Sequence, residues 1–180
     1  MTQQPESARV AFLATDGVEE VELTRPWRDL QDAGAEPVLV SLEDGSIQAF
    51  HHLDKAGEFP VDRTVSDACV DDFAALVLPG GVANPDALRM EERAVDFVRE
   101  FVAAGKPVAA ICHAAWLLVE ADVVRGRTVT SYPSVRTDIV NAGGHWIDEQ
   151  VVEDGPLITS RRPADLDAFC KRILDRVVSS

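Results

Sequence analysis

Short apolar runs alternate with segments of helical period along most of the chain. The clearest runs are Val10–Ala14, Val38–Leu42, Ala74–Leu78 and Val108–Ile111, and each is typical of a strand buried on both faces. Alternation of such strands with helices is the signature of a doubly wound sheet. We therefore predict an α/β fold in which a mainly parallel sheet carries helices on both faces.

Glycines follow the two clearest helical segments. Leu23, Trp27 and Leu30 lie on one helical face ahead of Gly34, and a similar apolar stripe precedes Gly105. Glycine readily adopts the left-handed conformation in which many helices end. The pattern predicts that each helix ends at its glycine and that a strand follows at once.

The segment Ser46–Val65 departs from this alternation. It has no helical period, and it contains Gly57 and Pro60. These features predict a short antiparallel hairpin outside the main sheet.

The last third of the chain continues with shorter elements. The pattern predicts strands at Thr128–Thr130, Val151–Glu153 and Leu157–Ser160, and a helix over Val135–Ala142. Pro163 then opens a final helix, because proline is tolerated in a first helical turn.

Length and charge limit the class of protein. The 180 residues suit one domain spanning 1–180. With 31 acidic and 17 basic residues the formal charge is −14, which disfavours nucleic acid and anionic membranes as partners. Met1 to Arg9 lack the features of a signal peptide, and no apolar run is long enough for a membrane span. We expect a cytoplasmic protein.

Cysteine and histidine spacing predicts neither a disulfide framework nor a metal site. Cys69, Cys112 and Cys170 are few, widely separated and without CxxC pairing. Cys170 falls on the apolar face of the last helix and is most simply a core residue. His51 and His52 are adjacent, but the sequence shows no third metal ligand for them. We expect no metal and no cofactor.

Cys112 directly follows the strand Val108–Ile111 and begins a helical segment. Ala110 and Ala114 place small side chains two positions before it and two after it. That spacing is the steric requirement of a nucleophile elbow, a sharp turn that presents a reactive side chain. Amides at the start of the helix would favour a thiolate. The alternative is a small core residue at a strand end, and the spacing alone leaves both open.

Two further segments reach the same edge of the predicted sheet. Gly80 and Gly81 follow the strand Ala74–Leu78, where their amides could form an oxyanion hole or simply make a turn. The acidic loop after the first strand holds Asp16 and Glu19. A carboxyl group there could reach the sulfur, or the two residues could form a capping box for the next helix.

Seven motifs occur in order along nearly the whole chain. They are Glu19-Glu20-Val21-Glu22-Leu23, Leu78-Pro79-Gly80-Gly81, Gly105-Lys106-Pro107-Val108, Ala110-Ile111-Cys112-His113, Arg125-Gly126-Arg127, Thr130-Ser131-Tyr132-Pro133 and Ser160-Arg161-Arg162-Pro163-Ala164-Asp165-Leu166. Together they resemble the PfpI (intracellular protease I) branch of the DJ-1/PfpI superfamily, and a combination of that length is far more specific than any one motif.

The resemblance implies a flavodoxin-like core with Cys112 as the nucleophile at the elbow. It implies a protonated glutamate hydrogen-bonded to the sulfur, Glu19, and an adjacent histidine, His113. It also implies an oxyanion site formed by Gly80, Gly81 and the amide of His113.

By the same resemblance, Tyr132 is a pocket residue and the protein is a homodimer or a larger homo-oligomer. Asp86 is similar in place to an acid that orients the histidine from a neighbouring subunit. The chain departs from its relatives at Ala114-Ala115-Trp116, after the elbow, and in the length of the loop from Gly80 to Asp86.

Two classes of function use these residues. In the first, a stress-related cysteine hydrolase, the Cys112 thiolate attacks the carbonyl of a small-molecule or peptide substrate, such as an aldehyde or a glycated adduct, and His113 or Glu19 moves a proton. In the second, a redox sensor or protective stress protein, Cys112 is oxidised to a sulfenic or sulfinic acid without turnover. A glutamine amidotransferase would need a late His-x-Glu pair, which His145-Trp146-Ile147 does not supply. We take the hydrolase as the first expectation.

Glu19 carries an expectation of its own. If it stays protonated beside Cys112, glutamine in its place should keep the acidity of the thiol and alanine should weaken it. A glutamate that only caps the helix would affect stability alone.

Overall fold

A computed structural model of the protein describes residues 7–178. Most of the polar segment Met1 to Arg9 lies outside the described residues. Within residues 7–178, no helix is both long enough and apolar enough to cross a membrane.

The strands in the described part of the chain are β1 (Arg9–Leu13), β2 (Val18–Glu19), β3 (Glu36–Ser41), β4 (Ser46–His51), β5 (Asp54–Pro60), β6 (Arg63–Thr64), β7 (Ala75–Leu78), β8 (Val108–Ile111), β9 (Thr128–Val129), β10 (His145–Trp146), β11 (Val151–Asp154) and β12 (Leu157–Ser160). Four of these strands, β1, β3, β7 and β8, agree with the four clearest apolar runs.

The helices lie between these strands. They are α1 (Glu20–Asp32), α2 (Ala83–Leu88), α3 (Glu92–Ala103), α4 (Ala115–Glu120), α5 (Arg136–Asn141) and α6 (Leu166–Val177). Gly34 and Gly105 follow α1 and α3 with φ angles of +86° and +70°, so the predicted helix ends are confirmed.

The main sheet of the described chain has the spatial order β11-β12-β8-β7-β1-β3-β6. Neighbouring strands are parallel throughout, except that β11 runs antiparallel to β12. The predicted α/β fold with a mainly parallel sheet is therefore confirmed. Because β1, β7 and β8 are adjacent and parallel, the loops at their carboxyl ends lie side by side.

The segment Ser46–Val65 is mostly outside the main sheet, as predicted. Strands β4 and β5 pair antiparallel, and β2 pairs with β4, so the three form a separate small sheet. The prediction was wrong for β6, because Arg63 pairs with Val40 and Thr64 with Ser41 at the edge of the main sheet. A two-residue strand carries too little period to be recognised from sequence.

The core has two sides because side chains alternate along β1. Val10 and Phe12 pack with the apolar faces of α1 and α6, and Ala11 and Leu13 pack with those of α3 and α4. Burial of one large apolar side chain stabilises a fold by roughly 1.5 to 3 kcal/mol, so the two layers hold the central strands rigidly. Cys170 is 2% exposed in the α6 layer, which confirms that it is a core residue.

The predicted capping box does not form. Glu19 occupies the N-cap of α1, but its side chain makes no capping hydrogen bond. Asp16 instead accepts the N–H of Gln48 at 2.8 Å and thereby fastens the first loop to β4.

Candidate active site

Cys112 occupies a strained turn at the carboxyl end of β8. Its φ angle is +63°, which is unusual for a residue other than glycine. A short 3-10 turn, Cys112–Ala114, leads from it into α4. Ala110 and Ala114 are both buried beside the turn. This is the geometry that the spacing of a nucleophile elbow predicts, and it leaves the cysteine only 8% exposed.

The carboxyl group beside this cysteine belongs to Glu22, in the first turn of α1. Glu22 is fully buried, and its Oε2 accepts the N–H of Gly80 at 2.8 Å. Within residues 7–178, Oε1 has no hydrogen-bond partner of standard geometry. The Cys112 side chain interacts with this carboxyl group. Oε1 of Glu22 is therefore available for a hydrogen bond with the sulfur.

Burial determines the protonation of Glu22. Loss of solvent raises the pKa of its carboxyl group from 4.5 to about 8, and the charge of Glu19 acts in the same direction, against the opposing effect of the Gly80 amide. Glu22 is therefore protonated at neutral pH. Because Oε2 accepts a hydrogen bond, the proton belongs on Oε1, from which it can be donated to sulfur.

Burial also raises the pKa of the Cys112 thiol, and an ionised Glu22 would raise it further. The amides of His113 and Gly81 oppose this rise, because they donate to the sulfur. Two negative charges cannot share this buried site at low cost, so the two groups titrate as a pair. The thiolate therefore forms only while Glu22 keeps its proton.

The structure corrects the role given to Glu19. Its Oε2 accepts the N–H of His52 at 3.0 Å, and its Oε1 lies 3.6 Å from Nδ1 of His51. Glu19 ends β2 and is directed to the hairpin, whereas Glu22 lies almost one helical turn later and is directed into the core. The prediction that Glu19 is the protonated partner of Cys112 was wrong.

One signal in the sequence could have identified Glu22. It falls on the buried face of α1 together with Leu23, Pro26 and Leu30. An acidic residue on an apolar helical stripe is rarely buried unless it is neutral or paired, so its position indicates a special role.

Gly80 cannot be replaced without disturbing the pair. A Cβ at this position would lie 2.5 Å from Oε2 of Glu22 and 2.8 Å from Cβ of Cys112. Gly80 lies beside the sulfur as expected, but its N–H is already donated to Glu22 and is not free to stabilise an oxyanion. The amides of Gly81 and His113, which both act on the sulfur, are the donors that remain.

Asn84 holds the loop that carries these glycines, and sequence reasoning missed it. It is fully buried at the start of α2, and its Nδ2 donates to the carbonyl oxygens of Pro79 at 2.9 Å and Gly80 at 3.0 Å. Its Oδ1 accepts the N–H of Thr15 at 2.8 Å. One side chain thus connects the loops that follow β1 and β7.

His113 lies against the sulfur as predicted. Its Nδ1 is 3.2 Å from Sγ of Cys112, and its Nε2 is 3.1 Å from Oγ of Ser134. Burial lowers the pKa of His113, so the imidazole is neutral at neutral pH. Ser134 was not among the predicted site residues, and its hydroxyl helps to orient the ring.

Tyr132 contacts the site, and Asp86 does not. The ring of Tyr132 stacks on that of His113 with centroids 4.6 Å apart, and its N–H donates to the carbonyl oxygen of Cys112. Asp86 is exposed on α2, and within the described chain its carboxylate has neither a hydrogen bond nor an ion pair. Its role toward a neighbouring subunit stays a prediction.

Replacement of Cys112 by glycine should give a more stable protein than replacement by alanine. Both variants lose the sulfur, but glycine adopts a positive φ without the steric cost of a Cβ, which is about 1 to 2 kcal/mol. We expect urea denaturation to give a free energy of unfolding about 1 kcal/mol higher for glycine. At Cys170, inside α6, the same two substitutions should rank in the opposite order. If glycine and alanine rank in the same order of stability at Cys112 and at Cys170, the strain at the Cys112 turn is contradicted.

Replacement of Glu22 by glutamine should remove a pH-dependent loss of stability. Because folding raises the pKa of Glu22, its contribution is complete below about pH 4.5 and is lost as the pH rises through about 8. We expect the free energy of unfolding of the wild type to fall relative to Glu22→Gln over this range, by up to about 1.4 kcal/mol per pH unit. Denaturation curves at several pH values measure it.

Glu43→Gln is the matched control, since Glu43 is exposed in the turn before β4. Its pH dependence should follow that of the wild type. If the free energy of unfolding of Glu22→Gln shows the same pH dependence as that of the wild type, the Glu22 carboxyl group is ionised in the folded protein.

Known proteins resemble this chain in sequence and in fold. The DJ-1/PfpI family model matches residues 8–176. The chain is 42% identical over 166 residues to deglycase PH1704 of Pyrococcus horikoshii, covering 92% of this chain and 97% of that one. It is 38% identical over 169 residues to putative cysteine protease YraA of Bacillus subtilis, covering 94% and 98%.

Among solved structures, a two-domain protein from Anabaena variabilis with DJ-1/ThiJ/PfpI-like and ferritin-like domains superposes with a TM-score of 0.90 at 36% identity. The match covers 94% of this chain and 48% of that protein, so the chain spans about half of its length. The matched family model and the relatives that cover nearly the whole chain lead to one conclusion: this chain belongs to the DJ-1/PfpI family.

Proposed function

We propose that this protein is a cysteine-dependent hydrolase of the deglycase type, which removes small carbonyl adducts under stress. The observation that carries the proposal is a strained, buried Cys112 whose sulfur interacts with the protonated carboxyl group of Glu22. Two similar proteins bear matching names, deglycase PH1704 of Pyrococcus horikoshii and protein/nucleic acid deglycase 2 of Escherichia coli.

The reaction would begin with attack by sulfur. Nδ1 of His113, 3.2 Å from Sγ of Cys112, takes the thiol proton as sulfur adds to the carbonyl carbon that bears the amine. A C–S bond forms, and the C=O electron pair moves to oxygen. The amides of Gly81 and His113 stabilise that oxyanion. The C=O bond then re-forms, the C–N bond breaks, and the amine leaves with the proton that His113 took from the thiol. His113 next takes a proton from the water that attacks the thioester and returns it to sulfur as the C–S bond breaks, which releases the acid product and restores the thiol. Glu22 keeps its proton throughout and stabilises the thiolate when it forms.

Access to the sulfur favours a small reacting group. Cys112 is only 8% exposed, and the stacked rings of Tyr132 and His113 lie beside it. A peptide bond carries main chain on both sides and needs more room at the sulfur, whereas an adduct on an amine needs only its carbonyl carbon there. His113 is oriented by the hydroxyl of Ser134, which increases its basicity less than a carboxylate would. Both features favour adduct removal over peptide cleavage.

The proposal includes a cytoplasmic homodimer or larger homo-oligomer. Exposed Asp86 on α2 would then be free to approach His113 of a neighbouring subunit and to take the orienting role that Ser134 has within one chain.

Oxidation of Cys112 is a second candidate function, and one observation favours it. Oε1 of Glu22 lacks a partner of standard geometry within the described chain and could donate to an oxygen of a sulfinic acid. The raised pKa and the low exposure of the thiol argue against rapid oxidation, because oxidation follows thiolate character and access.

Turnover of a lactoyl adduct, the acyl isomer of a methylglyoxal adduct, on the side-chain amine of a blocked lysine, beside a peptide substrate, tests the proposal. The wild type should release the free amine from the adduct, and Cys112→Ser should lose at least about a hundredfold in rate. Cys170→Ala, a change at the other buried cysteine, should retain the wild-type rate because that thiol lies in the core.

Three results would count against this function. Full activity of Cys112→Ser would show that Cys112 is not the nucleophile. Cleavage of the peptide without adduct turnover would indicate a peptidase and not a deglycase. Inactivity on both substrates, with a stable sulfinic acid found by intact mass after peroxide treatment, would support the sensor.

A further inference from the structure

Three side chains with metal-ligating atoms meet at one end of the small sheet formed by β2, β4 and β5. They are Glu19 at the end of β2, and His51 and His52 at the end of β4. The parallel pairing of β2 with β4 places Glu19 opposite Phe50, next to the two histidines. Their ligand atoms all lie within 4.8 Å of one another. The third ligand that the sequence did not show for the histidine pair is therefore Glu19.

The carboxylate of Glu19 is held in place before any ion arrives. Glu19 is 7% exposed, and its Oε2 accepts the N–H of His52 at 3.0 Å. A ligand whose second oxygen is already hydrogen-bonded has little freedom to lose when it binds a metal. The other oxygen, Oε1, is the atom that faces the imidazole of His51.

The spacing between Glu19 and His51 suits a shared ion better than a direct contact. Oε1 lies 3.6 Å from Nδ1 of His51, which is too long for a hydrogen bond. Ligands of a tetrahedral zinc ion sit about 2.0 to 2.1 Å from the metal, so two of them are separated by about 3.4 Å. A small closure of the pair would accommodate such an ion.

The imidazole of His52 is brought to Glu19 and His51 by an unusual backbone. His52 has a φ angle of +57°, in the left-handed region that histidine seldom adopts. This turn returns the His52 amide to Glu19 and keeps its ring 4.8 Å from that of His51, measured between centroids. The imidazole of His51 is exposed, so an ion would reach the cluster from solvent.

We propose that Glu19, His51 and His52 form a binding site for a divalent transition-metal ion of the zinc class, with water completing the coordination. Two imidazoles and one carboxylate are a ligand set that such ions accept, whereas magnesium and calcium prefer oxygen ligands. The net charge of −14 attracts cations to the protein in general, but within residues 7–178 only this set brings nitrogen and oxygen ligand atoms from three residues within 4.8 Å of one another. The site does not depend on the proposed reaction of Cys112.

Cys112 and His113 offer a thiol and an imidazole of their own, so the test removes that competitor. Zinc chloride is titrated calorimetrically into metal-stripped, untagged Cys112→Ala protein, and cobalt chloride is used for absorption spectra. We expect one equivalent to bind, with cobalt bands typical of nitrogen and oxygen ligands. His51→Asn, His52→Asn and Glu19→Gln, each added to Cys112→Ala, should weaken zinc binding by about tenfold or more.

His145→Asn in the same protein is the matched control, since His145 is exposed on β10, away from the cluster. It should bind zinc as tightly as the parent. His51→Asn is the decisive variant, because the side chain is exposed and its replacement should leave folding unchanged. Asparagine at residue 52 tolerates the positive φ, which keeps that variant interpretable.

The proposal is overturned if no zinc binds, or if His51→Asn and His52→Asn bind zinc as the parent does. It is also overturned if His145→Asn loses as much affinity as the cluster variants, because that would indicate binding by scattered surface histidines.

Discussion

The interaction between the Glu22 carboxyl group and the Cys112 sulfur is the constraint on which the neighbouring loops of the site depend. A buried pair of acidic groups is tolerable only if one of them stays neutral, because two charges in this setting would repel without solvent to separate them. Gly80 gives its amide to Glu22 and thereby fixes which oxygen carries the proton. The need for close approach at Gly80 follows, since a Cβ there would collide with both partners.

The surrounding contacts serve to hold this pair in register. Asn84 connects the loops after β1 and β7 through its side-chain amide. The glycine loop therefore cannot withdraw from the sulfur without breaking the two hydrogen bonds that Asn84 donates to its carbonyl oxygens. On the other side, Ser134 and Tyr132 fix the ring of His113. The strained φ of Cys112 is maintained because β8 and α4 are packed into the core on both sides of the turn. Rigid packing thus supports a reactive geometry that the turn alone would not adopt.

The sequence predicted the parts of this arrangement that depend on local pattern. Apolar runs identified the strands on both sides of Gly80 and Cys112, and the small residues Ala110 and Ala114 identified the elbow. The acidic loop was different, because Glu19, Glu20 and Glu22 differ only in helical phase. That phase depends on the two-residue strand β2, which is formed by pairing with the distant β4. The same long-range pairing brings Glu19 to His51 and His52. The local sequence therefore could not predict that Glu19 contacts these histidines and not the sulfur.

The central claim is that Glu22, protonated, donates a hydrogen bond to the Cys112 thiolate. The pH dependence of iodoacetamide alkylation at Cys112 in Glu22→Gln, Glu22→Ala and Glu19→Gln proteins, all with a metal chelator present, tests it most directly. Glutamine can accept from Gly80 and still donate to sulfur, whereas alanine cannot. A hydrogen bond to a charged group is worth about 1.5 to 3 kcal/mol, so the thiol should titrate roughly one to two pH units lower in Glu22→Gln than in Glu22→Ala. Glu19→Gln should stay close to the wild type. Identical titrations of the glutamine and alanine variants would contradict the claim.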